Sequence, residues 1–209
     1  MNKPFILLCG RSGSGKTSVA LELVKKGLRQ VDSYTTRPAR YNNEQGHTFV
    51  SRQDFPFDDL VAYTFFNEEH YGATQTQCDY ADIYVVDKKG IIELKERYQT
   101  DRKVITVLLN APHDELIKRM YERGDSAEMV NSRFENDDIE FSGIEELADV
   151  IITNKDLNDT VEYIQGIYNS CLYDEKYQTQ SLLIFDEIVK DIEQLKSEFA
   201  KLAKAVGKK

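Results

Sequence analysis

Eight residues near the start of the chain constrain its fold more than any other feature. They fit the pattern G-x-x-x-x-G-K-[ST] and read Gly10-Arg11-Ser12-Gly13-Ser14-Gly15-Lys16-Thr17. An apolar run, 5–9, precedes them. The stretch that follows, 15–26, predicts a helix with one apolar face of Val19, Ala20, Leu23 and Val24. A glycine-rich turn between a strand and a helix presents backbone N–H groups to phosphate oxygens. The pattern therefore predicts that Gly10–Thr17 bind ATP, that Lys16 contacts its β- and γ-phosphates and that Thr17 holds Mg²⁺.

The rest of the chain alternates apolar runs with amphipathic stretches. The runs predict strands at 83–86, 103–109 and 150–152, and the stretches predict helices at 91–98, 114–123, 127–141 and 156–172. This alternation predicts an α/β fold, a P-loop NTPase core with a parallel sheet flanked by helices. Residues 32–80 break the pattern and contain only short strand candidates such as 47–50, so we interpret them as an inserted subdomain.

A polar segment near 174–181 precedes a second pattern at the carboxyl end of the chain. There the apolar residues alternate in spacings of three and four: Phe185, Ile188, Ile192, Leu195, Phe199, Leu202 and Val206. This spacing predicts an extra amphipathic C-terminal helix in a segment, 174–209, separate from a first domain, 1–173. The helix fits either a coiled coil in a homodimer or a helix packed on its own domain in a monomer.

Charge narrows the class of partner. The chain has 27 Lys and Arg against 36 Asp and Glu, a net charge of −9, which argues against a nucleic-acid partner. Residues 1–53 nevertheless carry nine basic and three acidic side chains, which fits either a local site for small anions or chance clustering. No apolar run approaches the ~20 residues that cross a bilayer, so we expect no membrane partner. Three widely separated cysteines suggest a reducing, cytoplasmic location.

A second group of anion-binding residues follows the first. The segment 33–40 places Arg37 and Arg40 three residues apart among hydroxyl side chains. Guanidinium groups bind the several oxygens of a phosphate monoester well. Two phosphate sites in one chain predict phosphoryl transfer between two phosphorylated molecules, as in a nucleoside monophosphate kinase.

At these residues the sequence resembles the guanylate kinase family. The resemblance covers roughly residues 4–170, and its ordered motifs are Ser33–Arg40, Gly46–Ser51, Tyr71-Gly72, Tyr84–Asp87 with Gly90, Arg119, Arg123-Gly124, Arg133 and Ile151–Asn154. It implies a core of residues 1–31 and 81–173, a monophosphate-binding insert at 32–80 and a helical lid at about 119–141. It also implies transfer of the γ-phosphoryl group of ATP to GMP or dGMP, with Mg²⁺ as cofactor.

The resemblance assigns roles to individual residues. It implies that the acceptor phosphate is bound by Ser33, Arg37, Arg40, His47, Tyr71 and Asp87, with His47 where the family usually has a tyrosine. It implies that transfer depends on Lys16 and Arg37 together with the lid residues Arg119, Arg123 and Arg133. A plain surface role for Arg123, at a helix end before Gly124, is the alternative.

The base-reading positions depart from the family pattern. Ala62 stands where the family has a guanine-reading glutamate, Ala73 where it has a small hydroxyl residue and Val85 where it has an acid. Glu68 or Glu69 is a possible substitute for the missing carboxylate. The departure leaves open a related phosphotransferase with a different phosphorylated acceptor as the first alternative. The second alternative, of another class, is a non-catalytic interaction module that resembles the family. The intact Gly15-Lys16-Thr17 argues against the second.

Overall fold

The computed structural model describes residues 3–172 of the chain, and strands and helices alternate along them. The strands are β1 (Phe5–Cys9), β2 (Ser33–Thr35), β3 (His47–Phe49), β4 (Leu60–Phe66), β5 (Glu69–Thr74), β6 (Ile83–Val85), β7 (Val104–Asn110) and β8 (Val150–Thr153). The helices are α1 (Lys16–Lys25), α2 (Gln75–Tyr80), α3 (Lys88–Arg97), α4 (His113–Glu122), α5 (Ala127–Glu140) and α6 (Leu157–Leu172), with short 3-10 helices at Phe57–Asp59 and Ile144–Leu147.

A four-stranded parallel sheet forms the centre of the molecule. Its order is β6-β1-β7-β8, and Ile6 of β1 pairs with Ile83 on one side and Ile105 on the other. All five residues of β1 are fully buried, which explains why this strand is a continuous apolar run. The predicted α/β core, a parallel sheet flanked by helices, is confirmed. Because the carboxyl ends of parallel strands meet at one edge, the loops after β1, β6, β7 and β8 lie together.

The observed helices and core strands lie close to their predicted bounds, with local differences. Helix α3 starts at Lys88, three residues earlier than predicted, because Asp87 caps it: Oδ1 accepts a hydrogen bond from the Gly90 N–H at 2.7 Å. On α1, Val19, Ala20 and Leu23 are buried as expected. Val24, predicted on the same face, is exposed, so that assignment is wrong.

The predicted insert, residues 32–80, contains a second sheet that the sequence pattern does not indicate. Its order is β3-β2-β5-β4, with β2 and β3 parallel and the other two pairings antiparallel. Only β3 was among the predicted strands. A capping box at Thr74, with Gln77 as its partner, then starts α2 and returns the chain to the core sheet.

The described chain up to Gly166 forms one compact unit, and a second begins at Ile167. The domain boundary after residue 173 stays a prediction, and the predicted helix with its coiled-coil spacing lies outside the described residues. Within residues 3–172, the helices all lack the length and hydrophobicity needed to span a membrane.

Candidate functional site

The phosphate loop, Gly10–Thr17, connects β1 to α1 and depends on its glycines. Gly10 has φ +145°, and a Cβ there would lie 2.2 Å from the Leu109 carbonyl oxygen. Gly15 has φ +93°, and a Cβ there would lie 2.3 Å from Nδ2 of Asn154. Larger residues at either position would therefore clash with neighbouring groups in a backbone conformation they rarely adopt. Both glycines allow the backbone to curl as phosphate binding requires.

Lys16 begins α1 and folds back over the phosphate loop. Its Nζ donates hydrogen bonds to the carbonyl oxygens of Gly10 at 2.5 Å and Arg11 at 2.9 Å. Burial lowers its pKa to about 8, and the negative charge of Asp137 opposes that shift. Thr17, the next residue of α1, is exposed. The ammonium group is thus held at the loop by two carbonyls that a phosphate oxygen can replace.

A buried asparagine side chain forms a hydrogen bond with the backbone of the phosphate loop. The Asn154 side chain, 3% exposed, donates from Nδ2 to the Ser14 carbonyl oxygen at 2.8 Å. Its Oδ1 accepts a hydrogen bond from the Thr160 hydroxyl at 2.9 Å. Asn154 follows β8 and Thr160 belongs to α6, so the loop between these elements fixes the conformation of the phosphate loop.

The carboxyl end of α5 also contacts the phosphate loop. The backbone N–H of Ser12 donates to Oδ2 of Asp137 at 2.6 Å, and Arg11 forms an ion pair with Asp138. Asp137 is 8% exposed, although it carries a charge. Neither aspartate was predicted as a site residue, because both lie more than a hundred positions from the loop they contact.

The second sheet carries Ser33, His47 and Tyr71, three of the six residues predicted to bind the acceptor phosphate. Ser33 of β2 pairs with His47 of β3, and the Ser33 hydroxyl lies 3.0 Å from Nδ1 of the imidazole. The His47 ring lies 6.0 Å from the ring of Tyr71 on β5. Burial and the charge of Arg37 lower the pKa of His47, so the ring is neutral at pH 7. A neutral imidazole still offers one hydrogen-bond donor.

Arg37 is held by a carboxylate, Glu44, that is not among the predicted site residues. Its guanidinium donates to both carboxylate oxygens of Glu44, at 3.0 and 2.6 Å, and lies 5.3 Å from the Phe49 ring centroid. The side chains of the ion pair are 9% and 6% exposed. Glu44 also accepts the Arg40 backbone N–H at 2.7 Å, and the hydrogen bonds from Arg37 lower its pKa to about 2. Glu44 thereby fixes Arg37 and the backbone at Arg40 together.

A small cavity lies between the second sheet and the end of β6. It measures about 100 Å³ and is lined by Ser33, His47, Tyr63, Thr64, Tyr71, Tyr84, Val85, Val86, Asp87 and Gly90. Four of the predicted acceptor residues therefore share one cavity. Asp87 has a structural role there as well, because its Oδ1 accepts both the Gly90 N–H and the Thr64 hydroxyl, the latter at 2.9 Å.

Two of the predicted base-reading positions also have apolar surroundings in the folded chain. Ala62 and Ala73 pair directly across β4 and β5, and both are buried in the hydrophobic core. The proposed substitutes do not line the cavity: Glu68 is exposed, and Glu69 accepts the Thr36 hydroxyl at 2.5 Å. The polar groups that face the cavity are therefore mainly hydroxyls, together with Asp87 and His47.

The predicted lid arginines contact carboxylates and carbonyls. Arg119 on α4 donates to Glu115 at 2.9 Å and to the Asn154 carbonyl at 3.0 Å. Arg123 and Arg133 both pair with Asp125 in the turn between α4 and α5. Arg123 is the C-cap residue of α4, as the surface-role alternative expected.

The charge of Arg133 acts on a cation in each of the two predicted phosphate sites. Burial lowers the pKa of Arg40, and the positive charges of Arg37 and Arg133 lower it further. Arg133 also lowers the pKa of Lys16. Arg133, a predicted lid residue, thus lowers the pKa of one cationic side chain in each predicted phosphate site.

Comparison with known proteins agrees with this architecture. Residues 6–143, more than half of the chain, match the family model described as AAA domain. The chain belongs to this family. Among similar sequences, a guanylate kinase of Bartonella quintana is 29% identical over 176 residues, which are 78% of this chain and 79% of the relative. A guanylate kinase of Thermotoga maritima is 27% identical over 185 residues, 81% and 88% of the two chains.

Solved structures show the same fold. The crystal structure of guanylate kinase from Anaplasma phagocytophilum superposes with a TM-score of 0.63 at 22% sequence identity. The match covers 83% of this chain and 89% of that one. With the sequence relatives, it confirms the predicted resemblance to the guanylate kinase family.

Proposed function

We propose that the chain is a guanylate kinase, a phosphotransferase that converts ATP and GMP or dGMP to ADP and the corresponding diphosphate. The observation that carries the proposal is a phosphate loop and a separate group of arginine and hydroxyl side chains in one chain whose relatives are guanylate kinases. Lys16 serves the first site, Arg37 and Arg40 serve the second, and Arg133 acts electrostatically on both.

In the proposed reaction, an oxygen of the acceptor phosphate attacks the γ-phosphorus of ATP. The bond from that phosphorus to the bridging oxygen breaks, and the oxygen leaves with ADP. Lys16 neutralises charge on the donor, while Arg37, Arg40 and the hydroxyls of Ser33 and Tyr71 orient the acceptor. The acceptor phosphate is already ionised at neutral pH, so the transfer requires no protein base.

The lid residues complete the proposed site by moving from their present partners. Arg123 and Arg133 both pair with Asp125. When they move to the phosphoryl group in transfer, they exchange this carboxylate for the negatively charged phosphoryl oxygens. Arginines that stabilise such a transition state are worth ~10³–10⁵ in rate in other phosphoryl-transfer enzymes. Arg119, bound at the Asn154 carbonyl, supports the phosphate loop in the same proposal.

The residues at the donor site fit the Mg²⁺ that we infer as cofactor. Among residues 3–172, no cluster of three His, Cys, Asp or Glu side chains could hold a metal. Mg²⁺ in nucleotide enzymes is bound mainly by phosphates and water, with one or two protein ligands. The exposed Thr17 hydroxyl at the start of α1 would supply such a ligand. The ion would neutralise charge on the donor phosphates.

A different phosphorylated acceptor is the second candidate, and the buried Ala62–Ala73 pair favours it. A carboxylate that reads guanine discriminates strongly between bases, because a wrong base leaves buried polar groups unpaired. This chain lacks that carboxylate at the expected position.

The free, buried thiols of Cys9 and Cys78 fit the cytoplasmic location that we also infer.

An acceptor panel tests the proposal. We expect the purified protein, given ATP and Mg²⁺, to phosphorylate GMP or dGMP at least tenfold faster than AMP, CMP or UMP, as followed by ADP release. Lys16→Ala should abolish transfer, whereas Lys25→Ala, an exposed lysine on the same helix, should not. Turnover of a non-guanine acceptor alone would favour the second candidate. Nucleotide binding without any transfer would favour an interaction module.

A further inference from the structure

The phosphate loop holds an anion supplied by the protein itself. The Ser12 N–H, one of the amides expected to bind phosphate, donates to the Asp137 carboxylate at 2.6 Å. Asp137 is 8% exposed. A carboxylate buried to this degree is costly unless charged or polar groups compensate it. Its environment supplies that compensation through a phosphate-loop amide and the nearby ammonium group of Lys16.

Two further observations show that the contact is electrostatic and specific. The next residue, Asp138, forms an ion pair with Arg11, so two successive carboxylates of α5 bind two successive residues of the loop. Asp137 also acts on Lys16, because its negative charge opposes the lowering of the lysine pKa by burial. The end of α5 therefore places negative charge where the donor phosphates are expected.

We propose that Asp137 is an internal competitor of the donor triphosphate, occupying a phosphate-loop amide that a phosphate oxygen takes when nucleotide binds. The inference rests on the proposed function only in treating a triphosphate as the ligand of this loop. An amide donates to one strong acceptor at a time, and a carboxylate beside a phosphate also repels it. Asp137 therefore lowers the affinity of the loop for the donor.

Displacement of Asp137 has a consequence for the lid. Arg133 lies four residues before Asp137 on α5, so the two side chains project from the same side of the helix. A movement of α5 that removes Asp137 from Ser12 also shifts Arg133 relative to Asp125, its partner at 3.5 Å. Donor binding thereby becomes coupled to the position of a lid arginine.

Triphosphate binding in the absence of an acceptor tests the competitor. Asp137→Asn keeps the size of the side chain and removes its charge. We expect it to bind inorganic tripolyphosphate and a non-hydrolysable ATP analogue about tenfold more tightly than the wild type, by isothermal titration calorimetry. Glu135→Gln, which removes an exposed charge from the same helix, is the matched control and should bind as the wild type does.

A purely structural role for Asp137 predicts the opposite direction, because loss of a supporting contact weakens the loop. Equal or weaker tripolyphosphate binding by a folded Asp137→Asn variant would overturn the proposal, as would an equal gain in Glu135→Gln. These measurements omit GMP, so failure of the acceptor panel leaves their outcome interpretable.

A measurement on the wild-type protein makes the test independent of how well the variant folds. We expect the carboxyl ¹³C resonance of Asp137 to shift during a tripolyphosphate titration, with the midpoint found by calorimetry. An unchanged resonance at saturation would show that the carboxylate stays in place, and the competitor would be rejected.

Discussion

Lys16 has a pKa close enough to neutrality to give the donor site a pH dependence. Burial lowers that pKa from 10.5 to about 8, so the side chain is charged below about pH 8 and increasingly neutral above it. Only the charged form attracts phosphate. We therefore expect kcat/KM for ATP to fall by about half between pH 7 and 8 and by about tenfold per unit well above pH 8.

The measurement is a series of initial rates from pH 7 to 10 at saturating GMP, with ATP varied. Bound phosphate raises the lysine pKa, so kcat should hold to higher pH than kcat/KM. Lys16→Arg is the control, because a guanidinium group does not titrate in this range. A kcat/KM for ATP that is level up to pH 10 in the wild type would contradict the assignment.

The cationic side chains of the site were predictable from sequence, whereas their acidic partners were not. Lys16, Arg37 and Arg40 lie in short local patterns whose chemistry identifies them. Asp137 reaches the phosphate loop only through the packing of α5, 125 residues away in the chain. Glu44 was closer to prediction, as one of only three acids in the first 53 residues, but its bidentate contact needs the turn that follows Arg40.

The elements of the core follow the sequence pattern because its strands are continuous apolar runs and its helices are amphipathic stretches. Those of the insert do not, and the β4–β5 hairpin shows why. Its turn residues Asn67 and Glu68 both have positive φ, 49° and 63°, a turn for which Asn-Gly is the usual signal. Because glutamate stands in the second position, the sequence does not indicate this turn. The partner strand of β4 is therefore not recognisable from the sequence alone.

The loop between β8 and α6 should control the rigidity of the phosphate loop through Asn154. Asn154→Ala leaves the Ser14 carbonyl and the Thr160 hydroxyl without their partners at 2.8 and 2.9 Å. We expect a loss of about 1–3 kcal/mol in the free energy of unfolding, measured by urea denaturation. The KM for ATP should also rise several-fold while the KM for GMP changes little.

The adjacent Lys155→Ala, at an exposed position, provides the control and should match the wild type in both measurements. Equal effects of Asn154→Ala on the two KM values would show that the residue stabilises the whole domain without a particular effect on the donor site.

At the scale of the whole molecule, the excess of acidic residues matters because several carboxylates contact the groups that are predicted to bind phosphate. Net charge is −9, yet carboxylates occupy the groups expected to bind phosphate: Glu44 binds Arg37, Asp125 binds Arg123 and Arg133, and Asp137 binds the phosphate loop. Hydrogen bonds from arginine lower the pKa values of both Glu44 and Asp125. The same contacts that prepare the site for anions therefore make folding stability depend on pH.

Glu44 allows this dependence to be measured. Its pKa falls from 4.5 to about 2 on folding, so its contribution is complete above pH 4.5 and is lost as pH decreases toward 2. We expect the wild type to exceed Glu44→Gln in free energy of unfolding by about 2 kcal/mol at pH 7, and the difference to shrink between pH 4.5 and 2.5. Urea denaturation at several pH values measures it, with the exposed Glu68→Gln as control. A difference that stays constant from pH 7 to 2.5 would mean that the Arg37 contact does not depend on the charge of Glu44.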